Sequence, residues 1–240
     1  MKPYHASTSH GAGRQLAADV PAPLWAVAAG SSAGGWLGSA LAAAAQADGS
    51  TIVTGNFLGT ASFGAAGNVT SAGGNDGFVG KLTSSGDWAW VTQFGGTASD
   101  YGYGIAAQAG GSTLVTGTFE GTASFGAVGN VTSGGFSDGF VGKVTSSGDW
   151  AWVTQIGGQW RETSLGIATQ ADGSGLVTGY FWNTASFGAA GSLTSVGSGD
   201  GFVGKLTSSG DWAWVTQLGG AAFDSGAGIA SQADGSTLVT

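Results

Sequence analysis

The sequence has no cysteine, three prolines and two histidines. Without cysteine, disulfides, thiolate metal sites and thiol nucleophiles are excluded. Charge is scarce as well: 8% of residues are charged, against about a quarter in an ordinary globular chain. Only six are Lys or Arg, and the formal net charge is −8. Phosphate binding needs a basic surface, so nucleic acid is not an expected partner, and anionic membranes are disfavoured for the same reason. The uncharged stretch Leu24 to Ala47 superficially resembles a signal-peptide core with an A-x-A end. It starts too far from Met1 and merges into the repeat below, so neither a signal peptide nor membrane insertion is expected from it.

Glycine and aromatic residues fill the gap, with 49 Gly, 10 Trp and 12 Phe among 240 residues. Hydrophobic residues reach 42%, enough for a substantial core in one large β domain or two smaller ones. The chain also repeats itself. Gln46, Gln108, Gln170 and Gln232 open Q-A-[DG]-G-S segments 62 residues apart. The same interval separates Phe63, Phe125 and Phe187 in "TASFG", and Asp76, Asp138 and Asp200 in "DGFVGK". Independent landmarks at one spacing mark a structural repeat.

Within a unit the apolar pattern has period two. Four short antiparallel strands are expected: a ("GIAAQ"), b ("STLVTGTF"), c ("GFVGKLT") and d ("DWAWVTQ"). Asp-Gly or Gly-Gly closes the a–b turn, and Ser-Ser-Gly the c–d turn. Repeats of this length with four strands predict the blades of a β-propeller, either a closed four-bladed ring or an arc of a larger one. In a pleated strand residues two apart share a face, so Trp88 and Trp90 are expected to point the same way, with Ala89 opposite. Burying about 150–250 Å² per indole at about 25 cal/mol per Å² makes such a pair worth on the order of 8–12 kcal/mol before ordering costs. One blade cannot shelter the pair, so stacked neighbours are expected to do so.

"GYGIAAQAGGSTLVTGTFEGTASFG" (Gly102 to Gly126) and "DGFVGKLTSSGDWAWVTQFGG" (Asp76 to Gly96) resemble the bacterial SBBP-type β-propeller repeat over about residues 39–240. The resemblance implies a propeller and a secreted or surface location, but no defined activity. One departure is Gln at position 46 and its equivalents, which the family often fills with an acid.

The predicted organisation is an irregular tail over 1–22 and a repeat domain over 23–240. Its units lie near 39–100, 101–162 and 163–224, with a partial unit at 225–240 and an extra d strand, "PLWAVAAG", at 23–30. "GRQLAADV" (Gly13 to Val20) is the candidate degraded c strand that would close a ring. The stop inside strand b at Thr240 favours an arc, and self-association through open blade edges is a further expectation.

Catalysis finds little support. His5 and His10 lie in the tail, no G-x-S-x-G elbow occurs, and no phosphate loop occurs. The repeated Asp76 and Asp87 sets stand beside glycines, as turn formers do. Without D-x-D-x-D-G spacing, no metal or other cofactor is expected. "NVT" at Asn68 and Asn130 matters only in a glycosylating pathway. Lys81, Lys143 and Lys205 read as strand lysines that keep their charge at the rim or guard an edge.

Binding has a better address. The a–b and c–d turns barely vary between units, whereas the d–a connections "GGTASDYGYG", "GGQWRETSLG" and "GGAAFDSGAG" differ, as do Leu58, Glu120 and Trp182. Loops that vary on a constant scaffold are where recognition sits. The expected binding residues are Asp100, Tyr101, Tyr103, Glu120, Trp160, Arg161, Glu162, Trp182 and Asp224. The function expected is non-enzymatic: a module presenting this face to a protein or glycan. A lectin, or an architectural spacer without ligand, is the alternative.

Overall fold

The computed structural model of the chain describes residues 30–31, 38–232 and 234–240. The calls on the 1–22 tail and the Gly13 to Val20 strand lie outside them, as does most of the 23–30 strand. The first described strand is β1 (Gly30–Ser31). The first unit holds β2 (Ser39–Ala45), β3 (Thr51–Phe57), β4 (Thr60–Ser62), β5 (Asn68–Thr70), β6 (Asp76–Leu82) and β7 (Trp88–Gly96). The second repeats this as β8 (Tyr101–Ala107), β9 (Thr113–Phe119), β10 (Thr122–Ser124), β11 (Asn130–Thr132), β12 (Asp138–Val144) and β13 (Trp150–Gly158). The third contains β14 (Glu162–Thr169), β15 (Gly175–Phe181), β16 (Thr184–Ser186), β17 (Ser192–Thr194), β18 (Asp200–Leu206) and β19 (Trp212–Leu218). A last hairpin pairs β20 (Ile229–Ser231) with β21 (Thr237–Val239). The only helical elements among the described residues are 3₁₀ turns, and none is long or apolar enough to cross a membrane.

The four predicted strands of each unit form one antiparallel sheet in sequence order a-b-c-d. Each unit also carries two strands that the period-two reading missed, because three residues are too few to show an alternation. "TAS" and "NVT" or "SLT" form a small hairpin between strands b and c, closed by a 3₁₀ turn. This hairpin pairs with strand d of the preceding unit: Ala123 with Gly96 and Ser124 with Gly95, then Ala185 with Gly158 and Ser186 with Gly157. It therefore straps one sheet to the next through backbone hydrogen bonds. The Gly-Gly ending each d strand permits the approach, since a methyl on Gly158 would stand 2.5 Å from the Thr184 carbonyl oxygen. In the first unit the equivalent strap takes Gly30–Ser31 as partner, at the position the preceding unit's d strand would fill. Every ladder joins strands of the same or adjacent units.

The tryptophans depart from the expected geometry. Lys81 pairs with Trp90, yet the next residue, Leu82, pairs with Trp88, so Ala89 is an extra residue in a β-bulge. The same bulge occurs at Lys143/Val144 and Lys205/Leu206. A bulge reverses the alternation, so the two indoles point to opposite faces instead of sharing one. Trp88 turns toward its own strap, edge-on to Phe63 at 4.9 Å. Trp90 turns the other way and donates from Nε1 to the Ser146 carbonyl of the next unit at 3.1 Å. Gly80, Gly142 and Gly204 leave room for the inward indoles; a methyl on Gly142 would sit 2.5 Å from the Trp150 ring.

The core is thus a series of inter-sheet layers. Phe94 of the first unit stacks on Phe125 of the second at 5.4 Å and meets Phe140 and Trp150 edge-on. Ile156 repeats this role against Phe187, Phe202 and Trp212 of the third unit. Neighbours do bury one another's indoles, as expected, but the Trp88/Trp90 and Trp150/Trp152 pairs are each divided between two layers, and Trp214 stays exposed.

At the turn end a second clasp joins the units. Gln46 Nε2 donates to the Gly111 carbonyl and Gln108 Nε2 to the Gly173 carbonyl, both at 2.8 Å, while the side-chain oxygens accept from Ser50 and Ser112. The position must donate and accept at once, which an amide does and a carboxylate cannot. Gln108→Glu therefore loses the bond and sets an anion against a carbonyl. We expect a loss of about 1–2 kcal/mol, read as a fall of about 2–4 °C in Tm per kcal/mol; an unchanged Tm would refute the clasp. Two of the three strand lysines meet acids. Strand c is flanked on both sides, so no edge needs guarding; Lys81 and Lys205 instead meet Asp48 and Asp172 at 3.1 and 3.6 Å.

Candidate binding face

The b–c and d–a connections lie at the end of the sheets away from these clasps, and they touch one another. The Phe136 and Ser137 amides donate to the Trp160 carbonyl at 3.0 and 3.3 Å, and Ser137 bridges Arg161 in parallel register. Backbone bonding thus holds the two loops of the middle unit as one ridge. Its side chains face solvent: Phe136 is 62% and Trp160 48% exposed, with ring centroids 6.0 Å apart. The Arg161 guanidinium lies 5.9 Å from the Phe136 centroid, within cation–π range.

A second aromatic group lies along the same end. Tyr101 and Tyr103 stack at 5.8 Å with planes 4° apart. Tyr180 meets Phe223 edge-on at 5.3 Å, and Trp182 stacks on Phe223 at 5.8 Å. Phe223 is half exposed, whereas Tyr101, Tyr103 and Trp182 are partly covered. Burial, followed by the neighbouring Tyr101, Tyr180 and Glu120, pushes the Tyr103 phenol up to about 12, so it stays neutral as a hydrogen-bonding group. Phe136 and Phe223 were not among the residues singled out from the sequence. Their signal was present, since both interrupt otherwise small and polar loops.

The acidic residues of the set play another part. Asp100 and Glu162 are buried and lie beneath the face, not on it; Asp224 is half-buried and Glu120 partly covered. Asp100 accepts from the Gly96 amide at 2.9 Å and the Glu120 amide at 3.2 Å, which ties the d–a loop to the end of strand b. Asp224 accepts from the Gly220 amide in the same way. Asp76, Asp138 and Asp200 are buried too, and each accepts from an amide four residues back. Burial, partly opposed by local amides, raises Asp76 to about 6 and Asp100 to about 7. Asp76, Asp100, Asp138, Asp200 and Asp224 thus hold the loops in place through backbone amides.

Among the described residues no three acidic, imidazole or thiol side chains gather as a metal cluster. No protein-family model matches the chain, and no curated protein matches it.

Proposed function

We propose that the chain is a non-catalytic repeat module, with its sheets arranged as blades of propeller type, whose loop end binds a protein or glycan partner. The observation that carries this reading is the contrast between the two ends. The turn end is near-identical in every unit, and Gln46, Gln108 and Trp90 there bond to carbonyls of the next unit. The loop end differs in each unit and leaves Phe136, Trp160, Arg161 and Phe223 in solvent. Aromatic and arginine side chains concentrated on one rigid surface are the residue types that dominate binding hot spots. The resemblance of the quoted motifs to SBBP repeats supports the propeller arrangement and a secreted or surface setting; it rests on those motifs alone.

The lectin reading draws on the same residues, because an exposed indole beside a guanidinium offers a sugar both a stacking plane and donors. Self-association would use Trp214 and Leu218, which hold the positions of Trp90 and Phe94 and are exposed at 41% and 38%. A glycan array read with the wild-type chain and with Phe136→Ala/Trp160→Ala/Phe223→Ala tests the lectin arm. Recognition of a defined oligosaccharide, weakened at least about tenfold in the variant, is the supporting result. Equal signals for both proteins across the array would leave the aromatic end without that role and favour a spacer.

A further inference from the structure

Three pairs of carboxylates recur below the loop end, one from the start of strand c and one from the d–a connection: Asp76 with Asp100, Asp138 with Glu162, Asp200 with Asp224. Each pair converges on the glycines that end strand d. A methyl on Gly95 would lie 2.8 Å from both Asp100 Oδ2 and Asp76 Cγ, and one on Gly219 2.8 Å from Asp200 Cγ and 2.9 Å from Asp224 Oδ2. In the middle unit Asp138 Oδ2 crowds Gly157, while Glu162 Oε1 would lie 2.8 Å from a methyl on Gly158.

Like charges placed together out of water need a proton or a counter-charge. Among the described residues no protein cation supplies one. Lys81 and Lys205 meet their aspartates at the far end, Lys143 holds the same strand position, and Arg161 lies over Phe136. In the outer units the d–a acid is instead satisfied by backbone amides. The middle unit differs, because Glu162 is one methylene longer than the aspartates it replaces. Both of its carboxylate oxygens and Asp138 Oδ1 are shielded from solvent and lack a hydrogen-bond partner, as does the Ser164 hydroxyl beside Gly139. In the third unit only Asp200 Oδ1 is left so, and Asp138 Oδ2 accepts from Gly134 and Gln155. Asp138 and Glu162 are each fully buried. The Gly158 amide lies close enough to favour the Glu162 anion, but it makes no hydrogen bond of ordinary geometry to it. An unpartnered buried carboxylate costs several kcal/mol, so this oxygen cluster is incomplete as it stands.

We propose that the Asp138–Glu162 pair binds one hard divalent cation of the calcium type, with the Ser164 hydroxyl, nearby backbone carbonyls and water filling the remaining positions. The donors are all oxygen, which selects calcium or magnesium over thiophilic metals, and the uneven backbone surroundings suit the looser coordination of calcium. Two charged ligands place the affinity in the weak range of extracellular modules, roughly 10⁻⁴–10⁻³ M.

The chelator-stripped full chain is titrated with terbium, read by indole-sensitised luminescence, and with calcium, read by thermal shift and by terbium displacement. The expected result is a saturable response that Glu162→Gln and Asp138→Asn each weaken at least tenfold, while Asp200→Asn in the third unit leaves it unchanged. No saturable response in the wild-type chain, or a wild-type response in Glu162→Gln, would overturn the site and leave a shared proton as the means of neutralising the pair. Should both acid variants fail to fold, Ser164→Ala decides: weaker calcium binding supports the site, and unchanged binding refutes it.

Discussion

Trp150→Ala will destabilise the chain by about 3–5 kcal/mol, the range for removing a large buried aromatic, whereas Trp152→Ala, two residues on, will cost about 1–2 kcal/mol. The two residues look interchangeable in sequence. The bulge separates them: Trp150 is 5% exposed and meets Phe94, Phe125 and Phe140 edge-on, while Trp152 is half-buried against the Gly210 turn of the next unit. Trp150→Phe refines the test. The Trp150 Nε1 hydrogen is buried without an acceptor, as are those of Trp88, Trp152 and Trp212. Phenylalanine gives up ring area but also removes that unsatisfied donor, which itself costs about 1–3 kcal/mol. We therefore expect Trp150→Phe to recover more than half of the alanine loss in chemical denaturation. Equal costs for Trp150→Ala and Trp152→Ala would show that the indoles share a face after all.

With a chelator present, stability will fall as pH rises from about 4 to about 7. Asp100 is raised to about 7 and Asp76 to about 6, in both cases chiefly by burial. The folded chain therefore holds protons that the unfolded chain releases near the ordinary carboxyl value. Their contribution is full below about pH 4 and is lost as pH passes through the folded values. At about 1.4 kcal/mol per pK unit, the two acids together account for roughly 2–4 kcal/mol after allowance for relaxation around them. Asp48 runs the other way, held near 2 by hydrogen bonds from Ser50, but it titrates below this window. Asp138 and Glu162, also raised by burial, add to the fall. Asp100→Asn should therefore remove only part of the slope between pH 4.5 and 7.5, even though a single amide oxygen cannot serve both the Gly96 and Glu120 amides. A Tm that is constant or rising over that interval would show that these carboxyls are ionised in the folded chain.

The strap hairpin explains how units of so few charged residues hold together. Hydrophobic layers alone leave sheets free to slide, because dispersion contacts carry little directional information. Backbone ladders at Gly95–Gly96 and Gly157–Gly158, together with the Gln46 and Gln108 clasps at the opposite end, set the register of each sheet on the next. The glycine-rich composition follows from this arrangement. Gly80 makes space for an indole, and Gly158 for a crossing carbonyl; each position trades a side chain for close approach.

Much of this architecture was legible in the letters. The 62-residue interval, the period-two strands and the turn dipeptides determined an all-β chain of repeated four-stranded antiparallel sheets whose neighbours cover one another's aromatic residues. Local pattern carries that information because strand alternation and turn chemistry are set within a few residues. The contrast between constant turns and variable loops was equally plain, and it pointed to Trp160 and Arg161.

Tertiary structure alone decided three things. The bulge at Ala89 sent Trp88 and Trp90 to opposite faces, since register depends on the partner strand and not on the strand's own sequence. The three-residue straps gained their role from pairing with the preceding unit. Asp100 and Glu162, written in a surface loop, turned inward because the amides and carboxylates that surround them lie 20 or more residues away in the chain or in another strand. Burial is a property of the assembled layers, and a linear string of residues does not contain it.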